Sequence, residues 1–112
     1  MQIAVSRSRP PRQAHWLVER ADAQLVPMGS AGYKALAVLL GDVDAYVHAG
    51  GQYEWDSAAP VAVARAFGLH TSRVDGSELV YNQPDPWLPD LIVSRPEAAE
   101  RILSVTRAGG AT

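Results

Sequence analysis

Apolar residues recur along this chain at two different periods, and the alternation of those periods sets out its elements. Residues 2–6, Gln-Ile-Ala-Val-Ser, form a short apolar run bounded by Ser-Arg-Ser-Arg-Pro-Pro, which predicts a buried strand leaving into a loop. Over residues 11–21, Ala14, Leu17, Val18 and Ala21 fall at helical spacing, with Arg12, Glu19 and Arg20 elsewhere on the wheel. Residues 24–27 read as a second strand. Ser30 then caps a helix to about Leu40, with Ala31, Ala35, Val38 and Leu39 on one face and Gly41 at its end. Residues 45–48 read as a third strand, broken by Gly50-Gly51. The next helix is expected over 57–67, with Ser57 as N-cap, Pro60 at the third helical position and Gly68 past the end. Residues 69–73 and 79–81 read as two short strands around an Asp75-Gly76 turn. Residues 82–89 hold three prolines and read as a loop, and 90–94 as a final strand. Pro96 opens a helix to about Arg107, and residues 109–112 are expected to fray.

Strands alternating with helices predict an α/β fold, a mixed sheet flanked by helices on both faces, in one domain over residues 1–108. The expected hairpin is what makes the sheet mixed. A chain of 112 residues has room for one such core. With 47% apolar and 20% charged residues, disorder is excluded as a default. Ten basic and twelve acidic residues give a net charge of −2, which argues against a charge-driven nucleic-acid or membrane binder. The absence of cysteine removes disulfides, thiol nucleophiles and Cys-ligated zinc. Apolar runs such as 36–40 fall far short of the ~20 residues of a membrane helix, and the start lacks a long apolar signal segment. The expectation is a cytoplasmic protein.

Three predicted loops follow a strand and precede a helix, the position where ligands gather in open α/β sheets. The first offers Ser6, Arg7, Ser8, Arg9 and Arg12, hydroxyls and guanidiniums suited to phosphate oxygens. The same residues equally describe a solvated basic loop. The second, Gly29-Ser30-Ala31-Gly32-Tyr33-Lys34, presents a helix start and the chain's single lysine to an anion, or is simply a capped helix with an exposed Lys. It lacks the Gly-Lys-Ser/Thr ending of a P-loop. The third places Asp56 beside Trp55 near a helix start, as a cap or as a ligand for a divalent cation. His48 and His70 stand isolated and read as core or surface residues.

Taken in order, Ser6-Arg7-Ser8-Arg9, the Gly29–Lys34 segment and Trp55-Asp56-Ser57-Ala58-Ala59-Pro60 resemble the C-terminal domain of the inositol monophosphatase family. The runs His48–Asp56 and Tyr81-Asn82-Gln83-Pro84-Asp85-Pro86 add to the likeness, which is greatest to bacterial CysQ-type 3'(2'),5'-bisphosphate nucleotidases. The resemblance implies a Mg2+-dependent, lithium-sensitive phosphomonoesterase acting on adenosine 3',5'-bisphosphate or a related phosphomonoester. It implies that Asp56 is a metal ligand and that Ser6, Arg9, Ser30 and Lys34 contact substrate; many relatives carry His at the position of Arg9.

The departure from the family pattern is as informative. Members have roughly twice this length, and their N-terminal half supplies a glutamate pair and an Asp-Pro-x-Asp-Gly-Thr motif that this sequence lacks. A two-metal site needs several oxygen ligands around ions about 3.5–4 Å apart. One Asp does not supply them. The chain therefore reads as a C-terminal half, inactive alone, that meets a missing N-terminal domain or a homodimer partner through an apolar face. The alternative is a non-catalytic module that binds a nucleotide phosphate or a protein.

Overall fold

Ile3, Ala4 and Val5 are fully buried because the strand they form has neighbours on both sides and helices on both faces. A computed structural model describes residues 1–108; the frayed tail expected at 109–112 lies outside the described residues. The elements run β1 (Gln2–Ser6), α1 (Arg12–Ala21), β2 (Gln24–Met28), α2 (Ala31–Leu39), β3 (Ala45–Tyr53), α3 (Glu54–Ala66), β4 (His70–Ser72), β5 (Trp87–Ser94) and α4 (Pro96–Thr106).

The five strands form one mixed sheet in the order β2-β1-β3-β5-β4. β1 pairs parallel with β2 and β3, while β5 runs antiparallel to β3 and β4. Side chains alternate between the faces. Ile3, Val5, Val47 and Ile92 meet Leu17 of α1 and Ile102 of α4 on one face. Ala4, Tyr46, Leu91 and Val93 meet Val38 of α2 and Val61 of α3 on the other. The predicted architecture is the observed one, and Ser30 caps α2 as expected, its Oγ accepting the Tyr33 N–H at 3.1 Å.

Three local expectations are corrected. The Asp75-Gly76 segment is a turn but not a hairpin: β4 pairs with β5, and residues 79–81 form no strand. Arg73 is drawn to Asp90 at 3.1 Å, the Val74 N–H donates to the same carboxylate at 3.0 Å, and buried Leu79 plugs the α2–α3 side. The Leu79 carbonyl finds its donor in the Arg65 guanidinium at 2.9 Å instead of a strand ladder.

Gly50-Gly51 does not end β3. Both glycines take positive φ, 98° and 88°, and make an irregularity between Ala49 and Gln52 in the pairing with β5. Pro89 falls opposite this irregularity, where no ladder N–H is needed, so β5 begins at Trp87 and not at residue 90.

Helix α3 begins at Glu54, with Tyr53 and not Ser57 as N-cap. The Asp56 carboxylate accepts the Tyr53 N–H at 3.0 Å and starts the helix three residues early. Ser57 is then an interior residue, buried and hydrogen-bonded to the Tyr81 hydroxyl at 3.0 Å. Pro60 lies inside the helix, so the carbonyl of Asp56 lacks its usual i+4 donor.

Candidate functional site

The carboxyl ends of β1 and β2 and the starts of α2 and α3 open on a common cleft of about 330 Å³. β1 ends at Ser6, and β2 ends at Met28, two residues before the cap of α2. β3 runs between them and α3, and its irregular stretch delivers the chain to Asp56. Ser6, Ser30, Lys34 and Asp56 all line this cleft. Arg9 does not. It borders an adjacent pocket of about 350 Å³ with Arg12, Gln13 and Gly50.

Lys34 is buried, with 4% of its surface exposed, which removes the reading of a capped helix with an exposed lysine. It sits in the first turn of α2 and folds back so that Nζ donates to the carbonyls of Met28, at 3.4 Å, and Gly29. The ammonium also lies 5.2 Å from the centroid of the Tyr46 ring, within cation–π reach. Burial, and then the positive charge of Arg7, push its pKa below the ordinary lysine value. A desolvated ammonium held by neutral carbonyls is suited to gain from an anion arriving in the cleft.

Beside Lys34, Ala31 and Gly32 line the cleft, and their N–H groups precede the first intrahelical bond of α2. Ser30 Oγ accepts from Tyr33, which leaves its hydroxyl proton for another acceptor. Asp56, whose carboxylate caps α3, lines the same cleft.

Three lining residues escaped the sequence reading: Tyr46, His48 and Gln52. Tyr46 and His48 are two apart on β3 and share a sheet face, a period-2 signal that places them beside Lys34 once β3 is known to be central. Burial raises the Tyr46 phenol to about 12, the Gln52 hydrogen bond opposing and the charges of Asp56 and Tyr81 adding. The phenol is therefore a neutral donor at physiological pH. His48 Nε2 lies 3.0 Å from the Gly51 carbonyl, which can only accept, so Nε2 carries the proton. Gln52 leaves its buried Oε1 without a partner. Gln52 belongs to the same even-numbered series of β3 as Tyr46 and His48 and also reaches the cleft, beyond the irregular stretch at Gly50-Gly51.

The described residues do not make a divalent-cation site by themselves. Among them no three His, Cys, Asp or Glu side chains gather as a metal cluster. Glu54, near Asp56 in sequence, turns instead to the Gln83 N–H at 3.2 Å. Mg2+ seeks near-octahedral oxygen coordination, which a single carboxylate such as that of Asp56 does not supply. No described helix is long and apolar enough to cross a membrane.

A 3'-phosphoadenosine 5'-phosphate phosphatase of Mycobacterium bovis is 56% identical over 103 residues, which are 92% of this chain and 39% of that protein. The chain spans about 40% of the length of the curated mycobacterial relatives it matches. A crystal structure of CysQ from Bacteroides thetaiotaomicron, a bacterial member of the inositol monophosphatase family, superposes with a TM-score of 0.72 at 28% identity, covering 85% of this chain and 37% of that one. The fold is also that of an IMPase/NADP phosphatase complexed with Mg2+ and phosphate, with a TM-score of 0.72 at 19% identity, covering 93% of this chain and 38% of that one. The model of the inositol monophosphatase family matches residues 2–110, and the chain belongs to that family, corresponding to the C-terminal part of its members.

Proposed function

We propose that this chain is the substrate-holding C-terminal half of a magnesium-dependent 3'(2'),5'-bisphosphate nucleotidase, and that alone it hydrolyses phosphomonoesters negligibly. The observation that carries this reading is the convergence of Ser30 and Lys34 at the start of α2 with Asp56 at the start of α3 in one cleft. The name of the 56%-identical relative supports adenosine 3',5'-bisphosphate as the substrate.

In this reading a phosphate takes the Lys34 ammonium as its counter-charge. The Ala31 and Gly32 N–H groups and the Ser6 and Ser30 hydroxyls supply directional donors. Asp56 repels a bare phosphate, so a cation must lie between them. Mg2+, when bound, supplies that positive charge, with Asp56 as one ligand among several. Arg9, in the adjacent pocket, contacts the nucleotide outside the phosphate cleft. The protein is expected in the cytoplasm.

A second reading, a non-catalytic module that binds nucleotide phosphate, is favoured by the lack of a carboxylate cluster among the described residues. Phosphate release from adenosine 3',5'-bisphosphate separates the two. The chain alone, with Mg2+, is expected to release none above background. Fused to the remaining portion of the M. bovis relative, it is expected to turn over, and the fusion carrying Asp56→Ala is not. Turnover by the chain alone at ordinary enzyme rates, ~1–10³ per second, overturns the proposal. A folded fusion without turnover favours the binding module.

A further inference from the structure

The cleft is furnished mostly with donors, and one buried acceptor in its lining has none to meet. Lys34, the Ser6 and Ser30 hydroxyls and the first N–H groups of α2 all suit phosphate oxygens. Gln52 lines the same cleft from β3. Its side chain is hydrogen-bonded to Tyr46, while its Oε1 is buried and without a partner among the described residues. The amide N–H side therefore makes the Tyr46 bond, and the carbonyl side is left over. Tyr46 is only 2% exposed, and its ring centroid lies 5.2 Å from the Lys34 ammonium. The amide is thus anchored on a residue fixed in the core, beside the group that would hold the phosphate.

A buried acceptor without a donor is costly, so a ligand that brings a donor gains by it. A phosphate dianion does not bring one, because its oxygens only accept. The cleft, about 330 Å³, is larger than one phosphate group, so the part of the ligand next to the phosphate enters with it. Resting on the proposed function, we infer that Gln52 Oε1 accepts a hydrogen bond from a hydroxyl on the carbon next to the one that carries the phosphate. In a nucleotide this is the ribose 2'-hydroxyl beside a 3'-phosphate. Gln52 thereby selects ribonucleotides, and phosphomonoesters with a vicinal hydroxyl in general, over their deoxy counterparts. A site that pairs a buried group with a substrate hydroxyl rejects the analogue lacking it, because the group is then left unpaired.

The test compares three ligands by calorimetric titration in Mg2+: adenosine 3',5'-bisphosphate and its 2'-deoxy and 2'-deoxy-2'-fluoro analogues. Fluorine keeps nearly the size and electronegativity of the hydroxyl oxygen but carries no proton to donate. The wild type should bind the ribonucleotide about five- to tenfold more tightly than either analogue, the size of one neutral hydrogen bond. Gln52→Leu should bring the three ligands within about twofold of one another, while Gln52→Glu, which keeps an acceptor, should retain the preference. The wild-type comparison needs no variant, and circular dichroism shows that each variant is folded. Equal binding of the ribonucleotide and both analogues by the wild type overturns the inference and leaves the phosphate reading standing. Gln52→Leu that weakens all three alike overturns it too, assigning the amide N–H to the phosphate. So does Gln52→Leu that keeps the preference but loses the strengthening by Mg2+, assigning Oε1 to the cation. A wild type that binds none of the three removes the phosphate reading and this inference with it.

Discussion

The Asp56 carboxylate accepts the backbone N–H of Tyr53 at 3.0 Å, so a residue that lines the cleft also starts helix α3. The two duties separate by substitution. Asp56→Asn keeps a cap-competent oxygen and loses the charge, while Asp56→Ala loses both. In urea denaturation Asp56→Ala should cost about 1 kcal/mol and Asp56→Asn a few tenths. Both should abolish any strengthening of nucleotide binding by Mg2+. Asp56→Asn destabilising as much as Asp56→Ala would show that the cap is not what the carboxylate contributes.

Trp87 packs on the irregular stretch of β3 between His48 and Gln52. Its indole lies so close to Gly51 that a Cβ built there would stand 1.8 Å from Cζ2, and Gly51 has a φ of 88°. Gly51→Ala is therefore expected to destabilise by about 1–3 kcal/mol. Trp87→Ala in the same chain relieves the collision but not the positive φ, so it should recover part of the loss. Thermal denaturation of the single and double variants checks this; a neutral Gly51→Ala would contradict the packing.

Asp90 gathers three donors, Arg73 Nε and Nη2 at 3.1 Å each and the Val74 N–H at 3.0 Å, and holds β4 to β5. Asp90→Ala leaves a half-buried guanidinium and an amide without their acceptor. A loss of about 1–3 kcal/mol is expected, with early amide exchange over residues 70–77. Exchange confined to the chain termini would count against it.

Lys34 makes the cleft sensitive to alkaline pH. Its folded pKa lies below 10.5, for burial first and Arg7 second. Between that lowered value and 10.5 the unfolded chain binds more protons, so the Lys34 contribution to stability rises with pH across this window and is unfavourable below it. Phosphate binding runs the other way, because it needs the ammonium. Affinity should fall as pH rises through a value below the ordinary lysine range, and Lys34→Met should lose this dependence. An affinity flat to pH 10.5 in the wild type would mean that Lys34 is not the counter-charge.

The layers of the fold were legible because their signals are local. Ile3-Ala4-Val5, the spacing of Ala14, Leu17 and Ala21, and the Ser30 cap each specify an element without reference to the rest of the chain. The misplaced elements are those decided by distant partners. Residues 79–81 carry a strand-like pattern, yet Leu79 fills the core and Tyr81 meets Ser57 on α3. Pro60 pointed to a later helix start, while Asp56 capping Tyr53 sets an earlier one. Of the residues named from sequence, Ser6, Ser30, Lys34 and Asp56 share the cleft because Ser6 ends a strand and the others stand at helix starts that open on the same side. Arg9 falls outside it because the Pro10-Pro11 step carries the chain toward α1 and Gly50. His48 looked isolated because Ser6, Ser30, Lys34 and Asp56, which line the cleft with it, lie on other elements.

The central claim is that this cleft holds a phosphate group against the Lys34 ammonium, and calorimetric titration of adenosine 3',5'-bisphosphate tests it most directly. Wild type and Lys34→Met, which keeps the buried stem without the charge, are compared with and without Mg2+. The account predicts weak, salt-sensitive binding by the wild type, strengthened by Mg2+ and reduced at least about tenfold by Lys34→Met, the size expected for one charge-assisted contact. Lys34→Met binding as tightly as the wild type under both conditions, or a wild type that binds no nucleotide in Mg2+, would contradict it.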